Sequence, residues 1–569
     1  MSKILNALDE QQRAAASCVS GPVVILAGAG TGKTRTITHR LAHAVTSGVI
    51  DASHTLTVTF TTRAAGEIRS RLGQLGVTGS SVRTFHSAAL RQLRYFYPQV
   101  FAGSMPALVT SKSMYVAQAA ALCHAPTDSD AVRDLASEIE WAKVNIMSPD
   151  AYREHAREHQ RNIGHDLSSD HVARVYETYL GVMDTAGCID FEDVLLTTTA
   201  LLNNYPELAA TVHKQYRYFT VDEFQDVSPV QFELLRLWLG NRDDVCVVGD
   251  PAQTIYAFTG ATSRYLTEFN RHFPRAQQFE LTHSYRSTPE IVQLANKILQ
   301  FEKYDPIRLQ ATKQAGQPVE IEHFSDDEQE AKSIVNQIAS LLKSGTPARD
   351  VAVLYRSNFQ SEPIEEQLSF AEIPYTVRGA SRFFERSEVK NAILHLRASV
   401  NVPNERTLGE FIRDIFSGTG WSAQPPDGGQ AARETWQSLM TIVELAEEFA
   451  SANPNAPLAE FVAHLDHRSE HEIEPQSNAV TLATIHSAKG LEWEAVFVMG
   501  LADGLLPIAY AESPELIDQE RRLFFVAVSR AKSRLHLSWS SARRNAVSGT
   551  RRQSQFLKEI SNQNQSLSD

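Results

Sequence analysis

The segment AGAGTGKT at 27–34 places Gly28, Gly30 and Gly32 directly ahead of Lys33 and Thr34. Glycines at this spacing let backbone N–H groups wrap a phosphate chain, and a helix opening behind them adds its partial positive charge. Lys33 then reaches the β- and γ-phosphates of a bound nucleotide, and the Thr34 hydroxyl holds Mg²⁺. The strict pattern begins with glycine where this chain has Ala27; Ala29, Thr31 and Arg35 complete the expected cradle. A second segment, FTVDEFQD at 219–226, ends an apolar run with two adjacent carboxylates. Asp222 is expected to coordinate Mg²⁺ through its water shell and Glu223 to polarise the water that attacks the γ-phosphate. Alone, an acidic pair at a strand end reads as a solvated turn. In one sheet with a phosphate loop, it reads as a metal-assisted nucleoside triphosphatase.

Those residues need a parallel sheet to present them. GPVVILAG (21–28) and HTLTVTF (54–60) read as buried strands, each followed by a helical pattern, which is the βαβ rhythm of an α/β domain. Strand signals then lapse from 101 to 187 and return at YRYFTVDEF (216–224) and DVCVVGD (244–250). A second α/β pattern runs through VEIEHF (319–324), VAVLYR (351–356), VTLATIH (480–486), AVFVMG (495–500) and RLHLSWS (534–540). It too is interrupted by a mainly helical stretch, with QPPDGG (424–429) as a turn inside it. The expected fold class is therefore α/β, with two lobes that each carry a helical insertion. The first lobe takes 1–100 and 188–283, with its insertion at 101–187. The second takes 284–390 and 476–560, with a shorter insertion at 391–475 and a disordered tail at 561–569.

A net charge of −13 over 569 residues at first argues against a nucleic-acid partner. Its distribution says otherwise. Between Thr61 and Arg94 six arginines face one acid, Glu67, and between Arg521 and Lys558 ten Lys or Arg residues occur with no acid. Phosphate binding depends on local basic surface, although any one such run also reads as a solvated face. Cys18, Cys123, Cys188 and Cys246 are scattered without a CxxC pair, which points away from zinc or disulfides and toward a reducing cytoplasm. No apolar run is long enough to span a bilayer, and the N-terminus lacks the apolar core of a secretory signal.

Nine segments, taken together and in order, resemble the UvrD-like DNA helicases of superfamily 1. Besides the phosphate loop and the acidic strand end they are LDEQQRAA (8–15), TFTTRAAGEIRSRL (59–72), TFHS (84–87), VGDPAQTIYAFTGA (248–261), HSYRST (283–288), TIHSAKGLEW (484–493) and QERRLFFVAVSRAK (519–532). The resemblance implies two RecA-like P-loop lobes with ATP and Mg²⁺ between them, and movement along single-stranded DNA with 3′→5′ polarity. It also implies residue roles. Gln12 matches the adenine-sensing glutamine, Tyr285 the tyrosine that stacks on adenine, and Glu492 an acid near the nucleotide sugar. Gln253 matches the γ-phosphate sensor, and Arg286 and Arg530 match the arginine fingers that stabilise transferring phosphoryl charge. Phe60, Tyr256 and Phe258 match positions lining the base pockets, the last two sharing a face if the chain there is extended. Thr84, His86 and His486 match positions on the DNA side, and Arg356 and Asn358 match backbone contacts of the second lobe.

Two departures qualify this picture. The family's Trp-Arg pair is Phe258-Thr259 here, so a base-pocket cation is missing. The second insertion is also short, and in the family that insertion regulates duplex unwinding. The likeness is strongest, through EIEWAK (138–143) and GLADGLLP (500–507), to a second group of actinobacterial UvrD-like helicases. Members of that group carry a four-cysteine segment and an HRDC domain, and neither is expected in a chain running to Asp569. The implied partners are single-stranded DNA, single/double-strand junctions and a repair or nuclease protein, with no membrane, in a nucleoid-associated cytoplasmic setting. Two alternatives stay open: a translocase that displaces proteins or feeds a nuclease with little unwinding, and a non-catalytic DNA-binding scaffold. RNA as the substrate is a further one.

Overall fold

The computed structural model describes residues 4–101, 103–159, 161, 167–301, 306–378, 384, 387–400, 402, 406–419, 421–424, 430–453, 456–470, 478–509, 511–542 and 551–565. The chain forms two compact units, one holding Met1–His283 with Pro306–Arg308, the other Ser284–Asp305 with Leu309–Asp569.

In the first unit six strands form one sheet: β1 (Val23–Ala27), β2 (Thr55–Thr59), β3 (Ser81–Thr84), β4 (Tyr218–Val221), β5 (Val245–Gly249) and β6 (Gln277–Leu281), in the order β3-β2-β4-β5-β1-β6. Every pairing is parallel. Parallel strands covered on both faces need apolar side chains throughout, and β2 and β5 are buried at every position. Under the sheet Trp238 stacks between Phe85 and Phe219 at 5.8 and 6.3 Å and donates its indole N–H to Gln92 at 2.8 Å. Two helices bear on the site: α1 (Glu10–Ser17) and α2 (Lys33–Thr46).

The first insertion consists of α3 (Ser113–Leu122), α4 (Ser129–Val144), α5 (Pro149–Glu158) and α6 (Ser169–Thr185). It has its own core, around Val116, Leu135, Ile139, Tyr152, Val172 and Tyr179. A two-residue parallel pairing of Ala107–Leu108 with Cys188–Ile189 closes its neck. Behind the neck begins α7 (Phe191–Asn204), capped by Asp190. Lys143, at the end of α4, is fully buried and donates to Asp190 and Asp193 at 2.8 Å each, while the Tyr179 hydroxyl donates to Asp190 at 2.7 Å. Lys112 adds bonds to Glu140 and Glu192. This ionic knot fastens the insertion to the lobe.

The second unit repeats the plan with β7 (Glu320–Phe324), β8 (Val351–Tyr355), β9 (Tyr375–Arg378), β10 (Val480–Thr484), β11 (Trp493–Val498) and β12 (Ala531–Ser540), ordered β7-β12-β11-β8-β10-β9 and again all parallel. Its insertion comprises α8 (Ser387–Ala398), α9 (Leu408–Ser417), α10 (Gln430–Ala452) and α11 (Leu458–Glu470). The expected boundary at 390 falls inside α8. Val389 packs with Leu396, Ile412 and Phe461 in the insertion's core, so the insertion starts before that boundary. Residues 425–429 of the expected QPPDGG turn lie outside the described residues. After α12 (Pro514–Val528), α13 (Gln555–Gln565) is helical where a disordered tail is expected from 561. Its buried Phe556, Leu557 and Ile560 supply the apolar face that orders it, and 566–569 lie outside the described residues. No helix among the described residues is long and apolar enough to cross a membrane.

Candidate functional site

Strand β1 stops at Ala27, and the chain turns through Gly30 (φ 76°) and Gly32 (φ 80°) into α2. Both angles are left-handed, a region that glycine enters without Cβ strain. A Cβ on Gly32 would also lie 2.8 Å from Gln12 Nε2. Gln12 is buried, and its side chain donates to Thr31 O at 2.9 Å while its backbone N–H donates to Asp9 Oδ1 at 2.7 Å. The glutamine thus joins the capping box of α1 to the phosphate loop. Lys33 Nζ spans its own loop, donating to Ala27 O at 3.1 Å and Gly28 O at 3.3 Å, and Thr31 Oγ1 donates to Gly28 O at 2.9 Å. Arg35 turns to Ala7 O at 2.6 Å.

Asp222 follows the last residue of β4 and is buried; the Thr34 hydroxyl donates to its Oδ2 at 3.2 Å. Burial first, and the neighbouring Glu223 second, push the Asp222 carboxyl up to about 7 against the pull of Lys33. Glu223 adopts φ 52°, a conformation that costs a non-glycine residue about 1–3 kcal/mol and concentrates at functional sites. Gln225 joins the two strand ends: its Nε2 donates to Glu223, and its Oε1 accepts from Asp250 N at 3.0 Å. Gln253 Nε2 then donates to Asp250 Oδ2 at 2.7 Å. Asp250 is itself buried, which raises its carboxyl. The Thr34–Asp222 pair is a set of hard oxygen donors suited to Mg²⁺, which takes few protein ligands and completes its shell with phosphate and water.

On the same unit Phe60 (44% exposed) stacks on Tyr256 at 5.4 Å and 16°, and Phe258 (58% exposed) lies 6.2 Å from Tyr256. The condition under which 256 and 258 would share a face by alternation, an extended chain, is not met. Ala257–Thr259 is a 3₁₀ turn, and the rings meet because that turn folds Phe258 back toward Tyr256. Thr84 caps the helix Phe85–Val100, accepting from Ser87 N at 3.1 Å. Burial lowers the basicity of His86, whose Nε2 is buried without a hydrogen-bond partner; exposed Phe191 stands edge-on to it at 6.2 Å.

The second unit gathers Arg286, Glu492 and Arg530. Arg286 donates to Glu492 at 2.7 Å and to Ser529 O at 2.9 Å. Arg530 is fully buried, bonded to Val526 O, Leu491 O and Ser529 Oγ. Burial raises the Glu492 carboxyl, but Arg286 and Lys532 outweigh it and hold the group below its ordinary value. Glu492 therefore positions two cations. Tyr285 beside them is half exposed. Arg356 makes a bidentate pair with buried Glu520 at 2.9–3.1 Å, so its guanidinium is largely committed inside the lobe. Asn358 opens a 3₁₀ turn and accepts from Ser361 through its backbone carbonyl. His486 is pushed down to about 4 by burial and then by Arg356 and Lys489. The basic run after Arg521 is also partly internal: Arg521 is buried and paired with Glu559.

Asp250 and Gln225 were not legible as site residues; Asp250 has the same strand-end placement as Asp222, which is the signal that marks it. The family model of the UvrD/REP helicase N-terminal domain matches residues 8–274, and that of the UvrD-like helicase C-terminal domain matches 279–426 and 423–542. The chain is 43% identical to the ATP-dependent DNA helicase UvrD2 of Mycobacterium tuberculosis, covering 98% of this chain and 82% of that protein. It is 29% identical to UvrD1 of the same organism (98% and 85%) and 29% identical to DNA helicase II of Escherichia coli (96% and 86%).

Proposed function

The chain belongs to the UvrD-like helicase family, and from that premise we propose that it moves 3′→5′ along single-stranded DNA by hydrolysing Mg-ATP. It is an ATP-dependent DNA helicase. Its proposed substrates are single-stranded DNA and single/double-strand junctions, in DNA repair or replication-fork upkeep. Mg²⁺, held by Thr34 and Asp222, would supply charge neutralisation on the phosphates. Lys33 binds the β/γ-phosphates, and Glu223 orients the attacking water and takes its proton. Arg286 and Arg530 are the proposed cations for the transferring phosphoryl charge, and Gln12 and Tyr285 the proposed adenine contacts.

One observation carries the reading. Gln253 sits in the hydrogen-bond chain that runs through Asp250 and Gln225 to Glu223, and Tyr256, three residues further on, is stacked with Phe60. A change felt at the γ-phosphate thus has a short covalent path to the rings on which bases would stack. Replacing Tyr256 with alanine is expected to weaken single-stranded DNA binding by about 1–3 kcal/mol. Basal ATP hydrolysis without DNA should stay near wild type. Titration of a labelled oligonucleotide alongside an ATPase assay reads both.

Directional movement is tested with strands labelled at the 3′ or the 5′ end. Arrival at the 5′ end supports the proposal, and arrival at the 3′ end reverses its polarity. A second reading, a translocase that clears proteins from DNA with little unwinding of its own, draws support from length. The alignment with UvrD1 spans 681 positions against 569 residues here, so that relative carries insertions this chain lacks. Comparing forked-duplex unwinding with displacement of a protein block separates the two.

A further inference from the structure

Beneath the turn that carries Tyr256 and Phe258 lies a cavity of about 560 Å³, lined by Ala257 and Gly260 of that turn, by Trp141 and Asn145 of α4 and its end, and by Tyr265 and Arg264. It lies within the first unit, where the insertion meets the lobe. Its volume suits one nucleotide. Tyr265 is backed by Phe232, stacked at 4.0 Å and 12°, with His272 edge-on to Phe232 at 4.8 Å. Trp141 is covered by the Arg161 guanidinium, 3.7 Å from the ring centroid. Asn145 is held by its bond to Trp141 O at 2.8 Å.

The charge at the rim is distinctive. Arg264 and Arg271, with side chains 70% and 71% exposed, share one carboxylate of Glu268 at 3.1 and 2.8 Å. Two guanidiniums against one carboxylate leave a net positive charge, and each guanidinium has five donors of which the shared pair uses few. Ala257 and Gly260, which flank Phe258 in the chain, line the recess, so the turn that carries two of the rings also forms part of the recess wall.

We propose that this recess is a single-stranded-DNA subsite. It takes one nucleotide next to the turn that carries Tyr256 and Phe258, with Arg264 and Arg271 on the flanking phosphates. The assignment rests on the DNA-helicase reading above and adds a binding position to it.

Salt dependence of oligothymidylate binding tests it with the full chain. In the double variant Arg264→Gln/Arg271→Gln, the slope of log K against log salt should flatten by about 0.7 for each phosphate left unneutralised, with binding about tenfold weaker near 0.1 M salt. Glu268→Gln frees both guanidiniums and should act in the opposite sense, tightening binding and steepening the slope. Arg264 and Arg271 are exposed and Glu268 is part-buried at the same rim; ATPase at saturating DNA should remain within about twofold of wild type in either variant, since neither touches the phosphate loop. Unchanged slopes in both variants, with wild type binding normally, would overturn the subsite and leave the helicase reading intact. Failure of wild type itself to bind single-stranded DNA would remove both.

Discussion

Lys33→Ala is expected to lower the kcat of DNA-stimulated ATP hydrolysis by about 10²–10³-fold, the usual cost of deleting one preorganised donor from a phosphoryl or acyl transition state. In the structure the Lys33 ammonium already sits across the mouth of its loop, fixed by two carbonyls of that same loop. Little reorganisation is then needed to bring it onto a phosphate. Because Gly30 and Gly32 set the loop's backbone and Gln12 fastens it, the variant should fold normally and bind single-stranded DNA as wild type does. ATPase, circular dichroism and oligonucleotide titration on one preparation check all three. A variant that keeps wild-type turnover would leave the motor assignment without its principal cation and return the scaffold alternative to the front.

The second large effect concerns folding. Lys143→Met should destabilise the first unit by about 3–5 kcal/mol, because it strands a buried carboxylate without its partner. Lys143 and Asp190 are each 1% exposed and lie 2.8 Å apart. Lys112, 3.5 Å from Asp190, offsets part of the loss. Adding Asp190→Asn should recover a good share of the stability, since a neutral amide tolerates the site better than an unpaired ion. The pH dependence has a definite sign. Burial alone raises the Asp190 carboxyl, but Lys143 and Lys112 prevail and depress it in the folded state. Its contribution is therefore present above the unfolded carboxylate value of about 3.9 and is lost as pH falls from there through the folded value. In Lys143→Met the depression shrinks, so this acid-dependent stabilisation shrinks with it. Urea unfolding of both proteins at neutral and acidic pH checks magnitude and sign together.

What could be read from the sequence was whatever the chain keeps local. The phosphate loop is eight consecutive residues and carries its chemistry locally, whereas Asp222–Glu223 at a strand end becomes readable only beside that loop. Parallel strands buried on both faces likewise announce themselves as continuous apolar runs. The rest depended on partners distant in sequence. Arg356 reads as a surface cation until Glu520, 164 positions on, binds its Nε and Nη2 edge. Arg521 is half of an ion pair with Glu559, so a stretch without acids does not form an uninterrupted basic surface. Tyr256 and Phe258 meet because of a turn, and two-residue periodicity carries no information about a 3₁₀ geometry. The start of the second insertion was hidden for a similar reason: Val389 and Ala392 belong to a core whose other walls lie dozens of residues away.

Gly260 has a left-handed backbone (φ 88°), and a Cβ there would come within 2.4 Å of Val144 Cγ2. Val144 is the residue next to the fastened Lys143, so the insertion presses on the turn that holds Tyr256 and Phe258 with no room between them. The first insertion is therefore no detachable accessory. Grafting the equivalent segment from a relative is expected to shift the resting position of the two rings even if every other residue of the lobe were kept.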